Sequence, residues 1–190
     1  TEKQLDLRKF PLGLNANLPK DIRVIEASEE SEDFHARYSA KGKEYTYYIK
    51  NNHIDDPFTS KYYYKFPQKL DVEAMKQAAA ILEGEHDFSA FCANKKMKKS
   101  TIRRVDAIKI LRDGHEIIMD FTGNGFLYNM MRILVGTLVE VGSGQRSADI
   151  VAIHGKHGII VVPVAVQPLL IRAAQGIELR QPVFKPLAER

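Results

Sequence analysis

The stretch Phe126–Val141 constrains this chain more than any other. Within it Phe126, Leu127, Met130, Met131, Ile133, Leu134, Val135, Leu138, Val139 and Val141 cover most of the circumference of a helix, and a helix apolar on nearly every side must be buried in protein. A strand-like run ending in Gly123-Asn124-Gly125 leads into it, and Arg132 stands in its middle. Steps of three and four residues from Arg132 pick out Asn129, Gly136 and Glu140, a polar and small-residue stripe on an apolar cylinder. A buried guanidinium cannot lose its proton, so it requires a carboxylate, a phosphate or a ring of carbonyls beside it. Glu140 lies about 12 Å away along the axis, too far for a direct pair. Two readings stand: a structural ion pair with an acidic residue on a neighbouring strand, or a functional site in which Gly136 leaves room for a substrate or an approaching backbone.

A chain of 190 residues suffices for one sizeable domain or two small ones sharing a core. Its longest unbroken apolar run, Ile159 to Val166, is far short of a membrane span and contains Pro163, and the polar start TEKQLDLRKF has no apolar signal region, so no role in a membrane is expected. Cys92 is the only cysteine, which excludes an internal disulfide and suits a reducing cytoplasm. His154 and His157 form the one close histidine pair, but without a cysteine partner and among loop-like glycines they are not expected to hold a metal.

The net charge of +4 is unevenly placed. Lys95, Lys96, Lys98, Lys99, Arg103 and Arg104 fall within ten consecutive positions, whereas Glu26–Asp33 (EASEESED) is a compact acidic run. The acidic run reads as a solvated loop, and the basic one as a contact to a phosphate backbone.

Taken in order, GLNANLP near the start favours turns, and Asp21–Ala27 alternates like a half-buried strand. Phe34–Lys50 reads as two short strands about Lys41-Gly42, with Tyr45, Tyr47 and Ile49 on one face and Glu44, Thr46 and Tyr48 on the other. Most tyrosines at this spacing are expected to serve packing. Asp71 caps a helix with Val72, Met75, Ala78, Ala79 and Leu82 on one face and Gly84 ending it. Arg104–Leu111 and His115–Phe121 form a hairpin through Asp113-Gly114. Ser147–His154 offers a short capped helix, and Ile159–Val166 and Gly176–Phe184 two further strands. No Walker loop, GxGxxG or tandem repeat occurs.

Four stretches, in this order, resemble the bacterial tRNA pseudouridine synthase A family: LNANLPKDIRV (14–24), DFHARYSAKGKEYTYYI (33–49), GEHDFSAF (84–91) with the downstream Arg103, and GNGFLYNMMRILVGTLVEVG (123–142). The resemblance implies an α+β pseudouridine synthase fold, a mixed, mainly antiparallel sheet with helices on one face, built as two related halves. Residues 1–56 would then be the C-terminal part of an incomplete first half, 57–70 a crossover, and 71–190 the second half with the Arg132 helix. The implied activity is isomerisation of uridines 38, 39 and 40 in the anticodon stem-loop of tRNA, by a cytoplasmic homodimer, with no metal or organic cofactor. In the family a strand Tyr contacts the flipped base and a basic residue on the buried helix pairs with a nucleophilic Asp. These roles fall on Tyr45 and Arg132, with Phe126, Asn124, Lys95, Lys96, Lys98, Lys99 and Arg103 as further substrate contacts. The family's GRTDxGVHA motif, which carries the nucleophile, is not in this sequence, and neither Asp87 nor Asp120 is a convincing substitute. The segment KHGIIVVPVAVQPLLIRAA also departs from the family pattern. The chain alone is therefore expected to be inactive, and a non-catalytic RNA-binding module is the alternative function.

Overall fold

The structure, a computed structural model, describes residues 6–54, 56–94, 96–148 and 170–174. By packing it separates into two units, Thr1–Ser39 and Ala40–Arg190.

In the first unit helix α1 spans Phe10–Asn17. This replaces the expected turn, because Pro11 in the first helical turn has the right φ and lacks only an N–H that would have had no partner there. The Asn15 side chain then captures the backbone of Val24, donating to its carbonyl at 2.8 Å and accepting from its N–H at 2.7 Å. Residues 21–27 accordingly follow α1 as irregular backbone and not as the expected strand. Phe34–Ser39 is also turn and not strand: His35 Nδ1 accepts the N–H groups of Arg37 and Tyr38, and Ser39 Oγ accepts that of His35. Such local bonds compete with a strand ladder.

The second unit is built on a six-stranded sheet. Its strands are β1 Gly42–Lys50, β2 Tyr64–Lys65, β3 Gly84–Asp87, β4 Ile102–Asp113, β5 Glu116–Gly123 and β6 Leu170–Ala174. The order is β2-β1-β5-β4-β3, with β6 beside the start of β1 and only the β1–β2 pair parallel. The β4–β5 hairpin forms about Gly114, whose φ of +54° suits the glycine of the expected Asp-Gly turn. Strands β1 and β5, expected in different halves, are direct antiparallel neighbours from Lys43↔Gly123 to Lys50↔Glu116.

Helix α2, Val72–Leu82, begins where expected: Asp71 accepts the N–H groups of Glu73 and Ala74. It buries Val72, Met75, Ala78, Ala79 and Leu82, the face read from the sequence. Helix α3 spans Met130–Gly142. It starts four residues later than the apolar pattern predicted, and Asn129 just before it sits at φ +58°, a left-handed conformation that the helix cannot include. Both helices contribute to one core with Tyr47, Ile49, Ile108, Ile110, Ile117, Met119 and Phe121 of the sheet. The fold is thus α+β with helices packed on one sheet face.

On the opposite face Thr46 Oγ1 donates to Asp120 at 2.6 Å, and Glu116 binds both Lys50 and the Tyr63 hydroxyl. From residue 149 on, the helix expected at Ser147–His154 lies outside the described residues, as do the two strands expected at 159–166 and 176–184 and His154 and His157. Strand β6 falls between those two expected strands, a five-residue run too short to show a pattern of its own.

Candidate functional site

Strand alternation puts Tyr45 on the helix-covered side of β1, in line with Tyr47 and Ile49 and paired in register with Phe121. Tyr47 and Ile49 are buried, but Tyr45, nearer the strand's start, is only partly so. Its ring meets Phe126 edge to face, with centroids 5.1 Å apart and planes at 89°. Burial raises the Tyr45 phenol above the usual tyrosine range, so it stays neutral at physiological pH.

Phe126 belongs to the turn Gly123–Asn129 between β5 and α3. Gly123 permits the turn to lie against β4, since a Cβ there would stand 2.5 Å from the Arg104 carbonyl oxygen. Asn124 continues the contact: its N–H donates to Arg104 O at 3.1 Å and its Oδ1 accepts from Arg104 N at 3.0 Å.

Arg132 departs from the sequence expectation. Helix α3 buries Met130, Met131, Ile133, Leu134, Val135, Gly136, Leu138, Val139, Val141 and Gly142, yet Arg132 itself is exposed. The apolar stripe is wide but not closed, and the guanidinium uses the gap to reach water, which removes the premise of a buried charge in need of a carboxylate. Its Nη1 donates to Asn129 Oδ1 at 3.1 Å, so one member of the predicted polar stripe is a true partner. Glu140 is engaged elsewhere, with Arg146. Arg132 is also near enough to Tyr47 to oppose the upward push that burial gives that phenol. The structure thus gathers Tyr45 with Phe126, and Arg132 with Asn129 and Tyr47. Asn129 and Tyr47 were not among the expected site residues, although spacing alone carried a signal: Asn129 is three residues before Arg132 and Tyr47 two after Tyr45.

The basic loop lies between a short 3-10 turn at Ser89–Phe91 and β4. Met97 packs against the core while Lys96, Lys98 and Lys99 are exposed, so the loop is anchored at one apolar point with its charges outward. Lys95 lies outside the described residues. Arg103 Nη1 donates to the carbonyls of Ser100 and Ile102, at 2.9 and 2.6 Å, and so braces the loop's end. The loop is tied to the turn before α3 by a hydrogen bond from Ala93 N–H to Tyr128 O of 3.1 Å.

Neither aspartate considered as a nucleophile is free for that work. Asp87 Oδ1 accepts from the Thr101 hydroxyl and from Ser89 N–H, and these bonds, Thr101 first, hold its carboxyl below the usual range. Asp120 points to the sheet face away from Tyr45, where it holds Thr46. Among the described residues no cluster of three or more His, Cys, Asp or Glu side chains could hold a metal.

The sheet thus carries an aromatic pair on its helix-covered face, with Phe126 in a turn tied to a lysine-rich loop. A family model described as tRNA pseudouridine synthase matches residues 78–156, which span the end of α2, the basic loop, the hairpin and all of α3. The chain belongs to that family. Among its relatives, tRNA pseudouridine synthase A of Halalkalibacterium halodurans is 48% identical over 152 residues, covering 80% of this chain and 58% of the relative. The proteins of the same name from Moorella thermoacetica and Limosilactobacillus fermentum are 46% and 44% identical, over 75% and 72% of this chain and 58% and 54% of their own lengths. The chain therefore spans little more than half the length of these curated relatives.

Proposed function

We propose that this chain works in a tRNA pseudouridine synthase that isomerises uridines 38, 39 and 40 of the anticodon stem-loop. The observation that carries the reading is the partly buried Tyr45–Phe126 pair at the turn before α3, in a chain of this family. A flipped uracil can stack on an aromatic face, and a hydroxyl near C5 can handle the proton lost there. Tyr45 offers both a ring and a hydroxyl. Phe126 limits where that ring can turn, and Asn124, whose Oδ1 accepts from Arg104 N–H, stands beside it in the same turn.

Arg132, exposed and tethered to Asn129, is available to pair with a carboxylate that attacks the ribose or the base. That carboxylate is the Asp of a GRTD motif outside these 190 residues. Lys95, Lys96, Lys98, Lys99 and Arg103 grip tRNA phosphates. In this reading residues 1–56 close the first half of the enzyme, 57–70 cross over, and 71–190 form the second half of a cytoplasmic homodimer.

The test is tritium release from tRNA labelled at uridine C5. We expect none from the 190-residue chain and turnover from a longer polypeptide that supplies GRTD upstream. Release by the 190 residues alone would mean that another residue here is the nucleophile. A GRTD-bearing form that binds tRNA but releases no tritium would favour the non-catalytic binding module.

A further inference from the structure

Both ends of the basic loop are fastened to the turn that carries Phe126. At the C-terminal end the β4–β5 ladder slips between Val105 and Ala107, and β5 stops at Gly123. Arg104 would then lose its ladder partner on that side, but Asn124 supplies one with its backbone N–H and its side-chain oxygen, at 3.1 and 3.0 Å. At the N-terminal end Ala93 N–H donates to Tyr128 O at 3.1 Å. Phe126 lies between these two fastenings, its ring against Tyr45. The fit is close: a Cβ on Gly123 would stand 3.2 Å from Phe126 Cζ as well as against Arg104 O.

We propose that Asn124 is a positioning residue that joins the tRNA-gripping loop to the Tyr45–Phe126 pair, so that phosphate contact and base placement are set together. This rests on the isomerase reading. A side-chain oxygen is what the position requires, because the second bond to Arg104 is accepted by Oδ1. Asp keeps that acceptor, whereas Leu has the same shape and none.

The experiment measures kcat, KM and tRNA affinity in the GRTD-bearing form, with thermal midpoints as a check of folding. Asn124→Leu is expected to lower kcat about tenfold with tRNA affinity within about twofold of wild type, and Asn124→Asp to recover most of the kcat. Ala93→Pro cuts the other fastening, and Cys92 at φ −112°, ψ 119° already has the backbone that a following proline favours. It too should lower kcat. Combining Asn124→Leu with alanines at Lys96, Lys98 and Lys99 should give a kcat/KM loss smaller than the product of the separate losses. Unchanged kcat in Asn124→Leu, an Asp variant as impaired as Leu, or strictly multiplicative losses would each overturn the coupling. A wild-type protein that releases no tritium would instead sink the isomerase reading, and the coupling with it.

Discussion

Tyr45 on β1 and Phe126 in the turn before α3 meet ring edge to ring face at 5.1 Å, from positions 81 residues apart in the chain (126 − 45). A pairing of this kind contributes about 1 kcal/mol beyond the area it covers, enough to hold a half-buried ring in one orientation. Tyr45→Phe preserves the ring and deletes the hydroxyl. We expect tRNA affinity little changed and pseudouridine formation abolished in the GRTD-bearing form. Phe126→Ala should leave the hydroxyl but free the ring, lowering turnover about tenfold. Full activity in Tyr45→Phe would reduce Tyr45 to a packing residue.

Arg132 is exposed and bound to Asn129, so removing it leaves no hole in the core. Arg132→Ala should therefore change the thermal midpoint little while lowering turnover by orders of magnitude, a separation that a buried structural ion pair would not give. Arg132→Lys keeps the charge without the planar fork and should retain more activity than Ala. Near wild-type isomerisation by Arg132→Ala would end the assignment.

How far the sequence foretold these positions depends on the kind of signal each left. Helix α2 was legible because Asp71, the apolar face and Gly84 agree, and the Asp113-Gly114 hairpin because its turn chemistry is local. Strand parity put Tyr45, Tyr47 and Ile49 on one face correctly. The exposure of Arg132 was not legible, since an apolar pattern counts residues around a helix but does not say whether a narrow gap opens to water. Helix α1 was hidden because Gly13, Asn15 and Asn17 read as turn formers. Its support comes from Pro11 and from Asn15 reaching Val24, nine residues on. The pairing of Asn124 with Arg104 depends on where the β4–β5 ladder slips, which no local pattern records.

The basic loop has one apolar anchor, Met97, and exposed lysines about it. Replacing Lys95, Lys96, Lys98 and Lys99 with Ala should weaken binding of an anticodon stem-loop and flatten its salt dependence by roughly one unit of log–log slope for each phosphate no longer neutralised. Stability should change little, because Lys96, Lys98 and Lys99 are exposed. A slope equal to that of the wild type would mean that the loop faces solvent in the complex.

Helices α2 and α3 meet closely at Gly142, where a Cβ would stand 2.6 Å from Met75 Sδ and 3.2 Å from Leu70 Cδ2. Met75 is fully buried and has little room to swing aside. Gly142→Val should destabilise the fold by about 1–3 kcal/mol, read as a lower denaturant midpoint at unchanged slope. Gly142→Val paired with Met75→Ala should cost less than the sum of the two single losses, because the smaller side chain makes room. A destabilised Gly142→Val that gains nothing from a smaller residue 75 would place the strain elsewhere.

Tyr47 and Tyr63 give the fold a definite alkaline limit. Burial pushes the Tyr47 phenol up to about 12, with Arg132 opposing the shift. Tyr63 is also pushed up to about 12, first by burial and then by its hydrogen bond to Glu116. An unfolded tyrosine releases its proton near about pH 10. Below that pH both states hold the protons and the fold keeps its full stability. Above it the unfolded chain releases protons that the folded chain retains, so stability falls as pH rises from about 10 to about 12. Denaturant midpoints should be insensitive to these groups near neutral pH and drop across that window. Tyr47→Phe, which keeps the ring and removes the titrating group, should make the drop shallower, while Tyr63→Phe should also lose the Glu116 bond and start from a lower midpoint at neutral pH. Equally steep alkaline losses in wild type and in both variants would show that neither phenol sets the limit.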